Sequence, residues 1–296
     1  MKNRVRSIVM ILVMLTAIIV NPKAETAKAG TRDDTSILLD RPAFHYYIAK
    51  GKENNKKIAP LKLTVKSSKT NGITDEANWI KKNKLSLNTY EVPNSYQLTT
   101  GNLPEEIDTF WGDLRITAAF YDKTYIYCTY GSDFSEGYLL NIYDYKTKER
   151  LYSLDFLNYR YSPDYSKADF DYVQQRINWA AIQDGILYVS NSHNTYAKSS
   201  KNQNAYITAI DLTDMSIIWR TDALVSNSNN FLIVDNVILC GYGFTDEKDY
   251  LYQINRKNGK ILKKTSVKSA ISYMAKKGNL LYVRTYNTDY VFKIGN

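Results

Sequence analysis

The chain has 296 residues, is 44% hydrophobic and 13% aromatic, holds 26 tyrosines against 9 phenylalanines, and carries a formal net charge of +9. That length buries a large core without covalent staples, and two cysteines exclude a disulfide scaffold. The 39 basic and 30 acidic residues are interspersed, without the dense basic clusters that a nucleic-acid surface needs.

Residues 1–29 read as a signal peptide. Lys2, Arg4 and Arg6 precede an apolar run from Ile8 to Val20, and a small-residue cleavage site follows at Ala27-Lys28-Ala29. The run is 13 residues, short for a membrane span, and no cysteine stands at the cleavage site to take a lipid. A secreted or wall-associated bacterial protein is the expectation, with an uncleaved anchor as the alternative. Removing the leader takes away five basic residues and one acidic residue and lowers the charge from +9 to +5. No transmembrane segment is expected after its removal.

Residues 30–296 are expected to form one domain, in which 30–114 is the poorly defined part, either further blades or a cap. Strands are predicted at Phe44 to Ala49, Leu61 to Ser67, Leu85 to Val92 and Tyr96 to Thr99. Thr74 is the predicted N-cap of a short helix over Asp75 to Lys82, with acidic residues in its first turn and lysines in its last. The polar, basic run Lys50 to Lys57 reads as a solvated loop.

From Arg115 a repeat is legible in four copies. Each begins with two alternating strands joined by a tight turn, at Asp122-Lys123, Asp184-Gly185, Asp235-Asn236 and Gly278-Asn279, residues that tolerate positive φ. Third strands are predicted at Tyr138 to Tyr145, Ala205 to Asp211, Tyr250 to Asn255 and Tyr290 to Ile294. Fourth strands follow at Glu149 to Asp155, Ser216 to Arg220 and Lys260 to Ser266. The last copy stops before a fourth strand, and Phe44 to Ala49 is the candidate to supply it. Four-stranded antiparallel units at this spacing predict an all-β fold, a β-propeller. Length suggests five to seven blades, with six the best fit.

Cys128 and Cys240 fall at matching points of two copies, in TYIYCTYG and NVILCGYG. Two blades apart they are out of reach of a disulfide, so both read as buried free thiols.

The stretch AYITAIDLTDMSIIWRTDAL resembles the quinoprotein-type (PQQ-like, WD40-like) propeller repeat, in which a strand ending in Ala-x-Asp leads through a turn to a strand ending in Trp. YLYQINRKNGKILKKTSV and YLLNIYDYKTKERLYSLDF are similar with losses. Asp211 and Trp219 keep the pattern, whereas copy three has Asn255 and Lys263 and copy one Asp144 and Tyr152. The resemblance covers residues 115–294 and implies the propeller fold. It implies no single function, since such propellers include quinone-dependent dehydrogenases, outer-membrane assembly scaffolds and binding proteins.

Numbering the strands sorts the loops. The tight turns fall on one face, and the opposite face receives Gly131 to Gly137, Phe156 to Gln175, Ser192 to Asn204, Thr221 to Asn229 and Gly243 to Asp249. These long loops carry Phe134 and the candidate binding residues Tyr159, Tyr161, Tyr165, Tyr172, Tyr196 and Phe244 among small polar residues, a composition suited to binding surfaces. Tyrosine also suits strands on its own.

Catalytic signatures are sparse. The histidines are His45 and His193, and His193 reads as an incidental surface residue rather than a general base. The acidic clusters Asp164, Asp169, Asp171 and Asp246, Glu247, Asp249 are interleaved with lysines and read as solvated charge rather than calcium sites. No motif supports a calcium or PQQ cofactor, and no metal site is expected. The expectation is a secreted, non-catalytic propeller that binds a protein or glycan of the cell envelope or surroundings through its long-loop face. The alternative is a propeller enzyme, either a quinone-type oxidoreductase or a carbohydrate-active hydrolase.

Overall fold

The structure, a computed structural model, describes residues 35–93, 98, 100–133 and 135–295. The leader expected over residues 1–29, Phe134 and, Leu98 apart, the strand expected at Tyr96 to Thr99 lie outside the described residues. The first elements are β1 (Ile37–Leu38), β2 (Tyr47–Ile48), β3 (Lys62–Thr70), α1 (Glu76–Asn83), β4 (Thr89–Glu91), β5 (Gly101–Asn102) and β6 (Phe110–Trp111). Asp75 rather than Thr74 occupies the helix N-cap, and its side chain makes no capping bond.

The four repeats then fold as read. Sheet 1 holds β7 (Leu114–Tyr121), β8 (Tyr125–Gly131), β9 (Leu139–Asp144) and β10 (Arg150–Asp155); sheet 2 holds β11 (Arg176–Gln183), β12 (Ile186–Ser192), β13 (Tyr206–Asp211) and β14 (Ile217–Arg220). Sheet 3 holds β15 (Leu232–Val234), β16 (Val237–Tyr242), β17 (Tyr250–Asn255) and β18 (Ile261–Ser266); sheet 4 holds β19 (Ile271–Lys277), β20 (Leu280–Thr285) and β21 (Thr288–Gly295). Within each sheet the repeat strands pair antiparallel in chain order.

The turn chemistry explains the repeat. Asp184 and Gly185 both have positive φ (56° and 74°), which matches the twist of a tight hairpin. At the end of the third strand the Asp144 carboxylate accepts hydrogen bonds from the backbone N–H groups of Lys146 and Thr147, at 2.7 and 2.8 Å. Asp211 accepts from Thr213 N at 3.0 Å, and Asn255 accepts from Lys257 N at 2.9 Å in the copy that departs from Asp. The side-chain oxygen that closes the turn is therefore kept where the residue type is not.

The inner strands β8, β9, β12, β13, β16 and β17 are buried along nearly their whole length, and since successive side chains point to opposite faces, both faces of these sheets are buried. Phe120, Leu140 and Leu154 of sheet 1 pack with Leu187, Val189 and Ile210 of sheet 2. Tyr188, Ile207 and Trp219 of sheet 2 pack with Ile238, Cys240 and Ile254 of sheet 3. Leu239 and Leu251 of sheet 3 pack with Met274, Leu281 and Val283 of sheet 4. Trp219 also lies against the turn of sheet 3, where a Cβ on Gly259 would meet its ring at 2.5 Å. Such sheets packed face to face in chain order are the blades of a β-propeller. Cys128 and Cys240 are free and buried, and burial pushes both thiols up.

The missing outer strand of sheet 4 comes from β3, not from Phe44 to Ala49. It pairs antiparallel with β21 from Lys62↔Gly295 to Thr70↔Thr288. The stretch that the sequence favoured holds β2, which adds to sheet 2 through Trp219↔Ile48 and Arg220↔Tyr47, and β1 adds parallel to β10 of sheet 1. Buried Gln253 steers the chain between them, since its amide accepts from Leu61 N at 2.7 Å and donates to Leu61 O at 3.2 Å. The nine residues of β3 match the eight of β21, which a six-residue stretch bent at Phe44 and His45 does not.

Length suggested six blades, and four such sheets stand among the described residues. The length between β3 and β7 forms α1 and short strands instead. Trp79 and Leu87 pack against Tyr273 and Ala275 of sheet 4, while Tyr90, Val92, Ile107 and Trp111 pack against Ile116, Ala119 and Ile126 of sheet 1.

Candidate functional site

On the long-loop face a cleft of about 600 Å³ opens between sheets 2 and 3. Its walls include Tyr196, Leu224, Tyr242, Tyr250 and Tyr252, and Lys198, Asp246 and Lys248 stand at its charged margin. Two strand ends and two loops position these groups. Tyr242 closes β16, Tyr250 opens β17, and Tyr196 precedes a short 3₁₀ turn over Ala197–Ser200. Phe244 meets Tyr196 edge to face at 5.2 Å, fixing the ring that forms the outer wall. Lys198 lies 5.3 Å from the Tyr196 ring centroid and Lys264 lies 4.9 Å from that of Tyr250.

Glu247 fastens the cleft. One carboxylate oxygen accepts from Ala197 N at 2.8 Å, across the boundary between sheets, and the other accepts from the Tyr242 hydroxyl. Burial and then the Glu247 charge push the Tyr242 phenol up, so it stays protonated and donates. The loops are thus tied in place, and the exposed part of the wall is aromatic with hydroxyl edges. That arrangement stacks on flat or ring-shaped groups and hydrogen-bonds their rims.

Asp249 sits behind this wall. Burial first, then the Glu247 charge, raises its carboxyl to about 6. It turns onto the backbone of Gly243, where an added Cβ would meet its Oδ1 at 2.0 Å, and it is not among the groups lining the cleft. Asp164 pairs with Lys201 at 2.5 Å at the surface. Among the described residues no group of three or more His, Cys, Asp and Glu is placed to hold a metal ion.

The structure gathers the six sequence candidates into two groups and removes one. Tyr196 lines the cleft, and Phe244 packs against its ring without lining the cleft itself. Tyr161, Tyr165 and Phe170 make a second aromatic cluster, with Tyr161 stacked on Phe170 at 5.0 Å and 5.8 Å from Tyr165, and Tyr172 stands 66% exposed nearby in sequence. Tyr159 is fully buried in the core between sheets 1 and 2, so it offers no surface to a protein or glycan on the long-loop face. Its neighbours in sequence, Phe156 and Leu157, start a 3₁₀ turn that folds the ring inward, packed on Phe156 at 4.9 Å.

His193 is also inside, 1% exposed, rather than at the surface. Its Nε2 lies 2.6 Å from Ser200 Oγ, and its Nδ1 accepts from Thr195 N at 3.4 Å. The accepting Nδ1 leaves the proton on Nε2, which donates to Ser200. The pair therefore pins a loop and is in the wrong tautomer for activating a serine. Burial lowers its pKa to about 4.

Tyr242, Tyr250 and Tyr252 were not singled out from the sequence, and Glu247 entered only within an acidic cluster that reads as solvated charge. The tyrosines sit at strand positions and read as packing, and Glu247 reads as one more loop charge. The one available signal was their convergence on the ends of strands flanking a long loop.

No protein-family model and no curated protein matches the chain. Solved structures match at low identity. The computationally designed Ika4 protein aligns at a TM-score of 0.38 and 12% identity, covering 61% of this chain and 91% of its own. BamB from Moraxella catarrhalis aligns at 0.32 and 11%, covering 61% of this chain and 58% of its own. Sqt1 from Saccharomyces cerevisiae aligns at 0.38 and 10%, covering 58% of this chain and 41% of its own. No helix among the described residues is long and apolar enough to cross a membrane.

Proposed function

We propose that this protein is a secreted, non-catalytic binding module that captures a protein or glycan of the cell envelope or its surroundings through the long-loop face. The observation that carries the reading is the tyrosine-walled cleft between sheets 2 and 3, held open by the Glu247 bridge. Its aromatic walls favour a saccharide ring or a peptide side chain, with Lys198, Lys248 and Asp246 contacting the polar rim. The enzyme reading is less favoured, because Glu247 spends both oxygens on the scaffold and Asp249 faces away from the cleft, so no carboxylate pair is presented to a substrate.

The test is binding of soluble cell-wall glycan fragments and a secreted-peptide library to the full chain, by isothermal titration. Tyr196→Ala with Tyr250→Ala is expected to weaken the ligand found by 10-fold or more, since each buried aromatic contact contributes about 1–2 kcal/mol, with little change in Tm. Unchanged affinity in the double variant would overturn the site, and turnover of any fragment would overturn the non-catalytic reading. The pair replaces Tyr159, whose truncation would open the core instead.

A further inference from the structure

Arg220, the last residue of β14, is fully buried, and none of its three guanidinium nitrogens has a hydrogen-bond partner among the described residues. It is held only by aromatic faces, with the guanidinium carbon 4.0 Å from the Tyr206 ring centroid, 4.9 Å from Phe44 and 5.3 Å from Tyr159. The strand register places Thr208 directly opposite Arg220 and Asn191 opposite Tyr206, so all four share the face of sheet 2 that meets sheet 1. On that face Thr208 Oγ1, Asn191 Oδ1 and, from the facing loop, Tyr159 Oη are likewise buried and unpartnered. Unsatisfied polar atoms are ordinarily scattered and few, because each costs about 1–3 kcal/mol. Here a desolvated cation and neutral hydroxyls converge on one spot.

A second cleft of about 540 Å³, lined by Arg41, Pro42, Phe44, His45, Pro163 and Gln203, is separated from it by Phe44. Phe44 is shared: it lines the cleft, and its ring centroid lies 4.9 Å from the Arg220 guanidinium carbon. Phe44 lies in a bend, its carbonyl accepts from the Tyr206 hydroxyl at 2.9 Å, and its half-buried ring meets the Tyr206 ring edge to face at 6.1 Å. A rotamer change that gives up this ring contact would join the cleft to the guanidinium.

We propose that Arg220, Tyr159 and Thr208 form a binding site for a carboxylate group, entered past Phe44 from the cleft that bears Arg41. A planar guanidinium fork matches a carboxylate with two parallel hydrogen bonds, and hydroxyls complete the remaining lone pairs. The three-ring cage favours a singly charged, weakly hydrated carboxylate on an apolar body over phosphate, whose desolvation costs more. The buried charge, which cation–π contacts alone compensate incompletely, gains its counter-ion. This site is separate from the tyrosine cleft and does not rest on it.

The test uses the full chain at constant ionic strength, with acetate, butyrate, benzoate, phosphate and chloride titrated against Tm and by calorimetry. A saturable rise in Tm with the carboxylates and not with chloride or phosphate is expected. Arg220→Met should abolish that response while remaining at least as stable in carboxylate-free buffer, because an unpaired buried charge has been removed. Tyr159→Phe and Thr208→Val, which keep the shape of the core, should each weaken carboxylate binding about 5-fold or more and keep the fold measurable if the Met variant does not fold. Tyr250→Ala should leave the response intact. No saturable response, an equal response to phosphate, or an equal response in all variants would overturn the site and leave Arg220 as a clamp on the Phe44 segment.

Discussion

The imidazole of His193 shows how one buried side chain ties stability to pH. Burial lowers its pKa from 6.5 to about 4, so the unfolded chain binds a proton that the fold refuses. The stabilisation is fully present above pH 6.5 and is lost as pH falls from there toward 4, up to about 3 kcal/mol over that window. Asp249 acts in the opposite sense: its raised carboxyl, at about 6, keeps a proton in the fold that the unfolded chain has released, so its contribution falls as pH rises from about 4 to 6. His193→Asn is expected to flatten the acid side of the urea-midpoint profile, and Asp249→Asn to steepen it. An unchanged profile in the His193 variant would show that the loop opens before the ring titrates. Neither group was legible in the sequence as buried, because burial here is decided by loops from different repeats. Tyr159 failed for the same reason, since a tyrosine in a long loop and a tyrosine folded under one read alike until the 3₁₀ turn is seen.

Among the elements, the strands of the repeats were legible to within a residue or two because alternation and tight turns coincide in each copy, joined in the first three by the turn-closing Asp144, Asp211 or Asn255. The N-terminal arm was not. Its strands are short, or, like β3, exposed along much of their length, so no alternating apolar signal marks which sheet takes them. Pairing is set instead by partners far away in sequence, such as Gln253 on Leu61 and Asn71 on Asp289, residues 218 apart. A chain beginning at residue 35 is therefore expected to keep the fold, while one beginning at Asn71 loses β3 from sheet 4 together with β1 and β2 from sheets 1 and 2. Circular dichroism and urea unfolding of the two would distinguish them. Equal stability would mean that β3 decorates sheet 4 without supporting it.

For the whole molecule, the propeller was legible and the way its last sector is filled was not. Residues 76–111 carry few alternating runs, and Trp79 alone gives little sign that it joins the core of sheet 4. Trp79→Ala is expected to cost about 3–5 kcal/mol, the usual range for emptying a large aromatic site. Because the same segment packs on sheets 4 and 1, amide exchange should quicken in both β19 and β7. Faster exchange in β19 alone would show that the segment leans on one sheet only. The arm adds a constraint on how the molecule is made. The partners of β1, β2 and β3 lie in β10, β14 and β21, so the earliest of these strands to be synthesised wait unpaired until the chain has reached Asp155, Arg220 and Gly295 in turn. Loops of that size close slowly, and the edge of sheet 4 stays open until the end. During that interval β3 of one chain and β21 of another are complementary edges, so domain-swapped pairs are the misassembly to look for when the protein is refolded at high concentration.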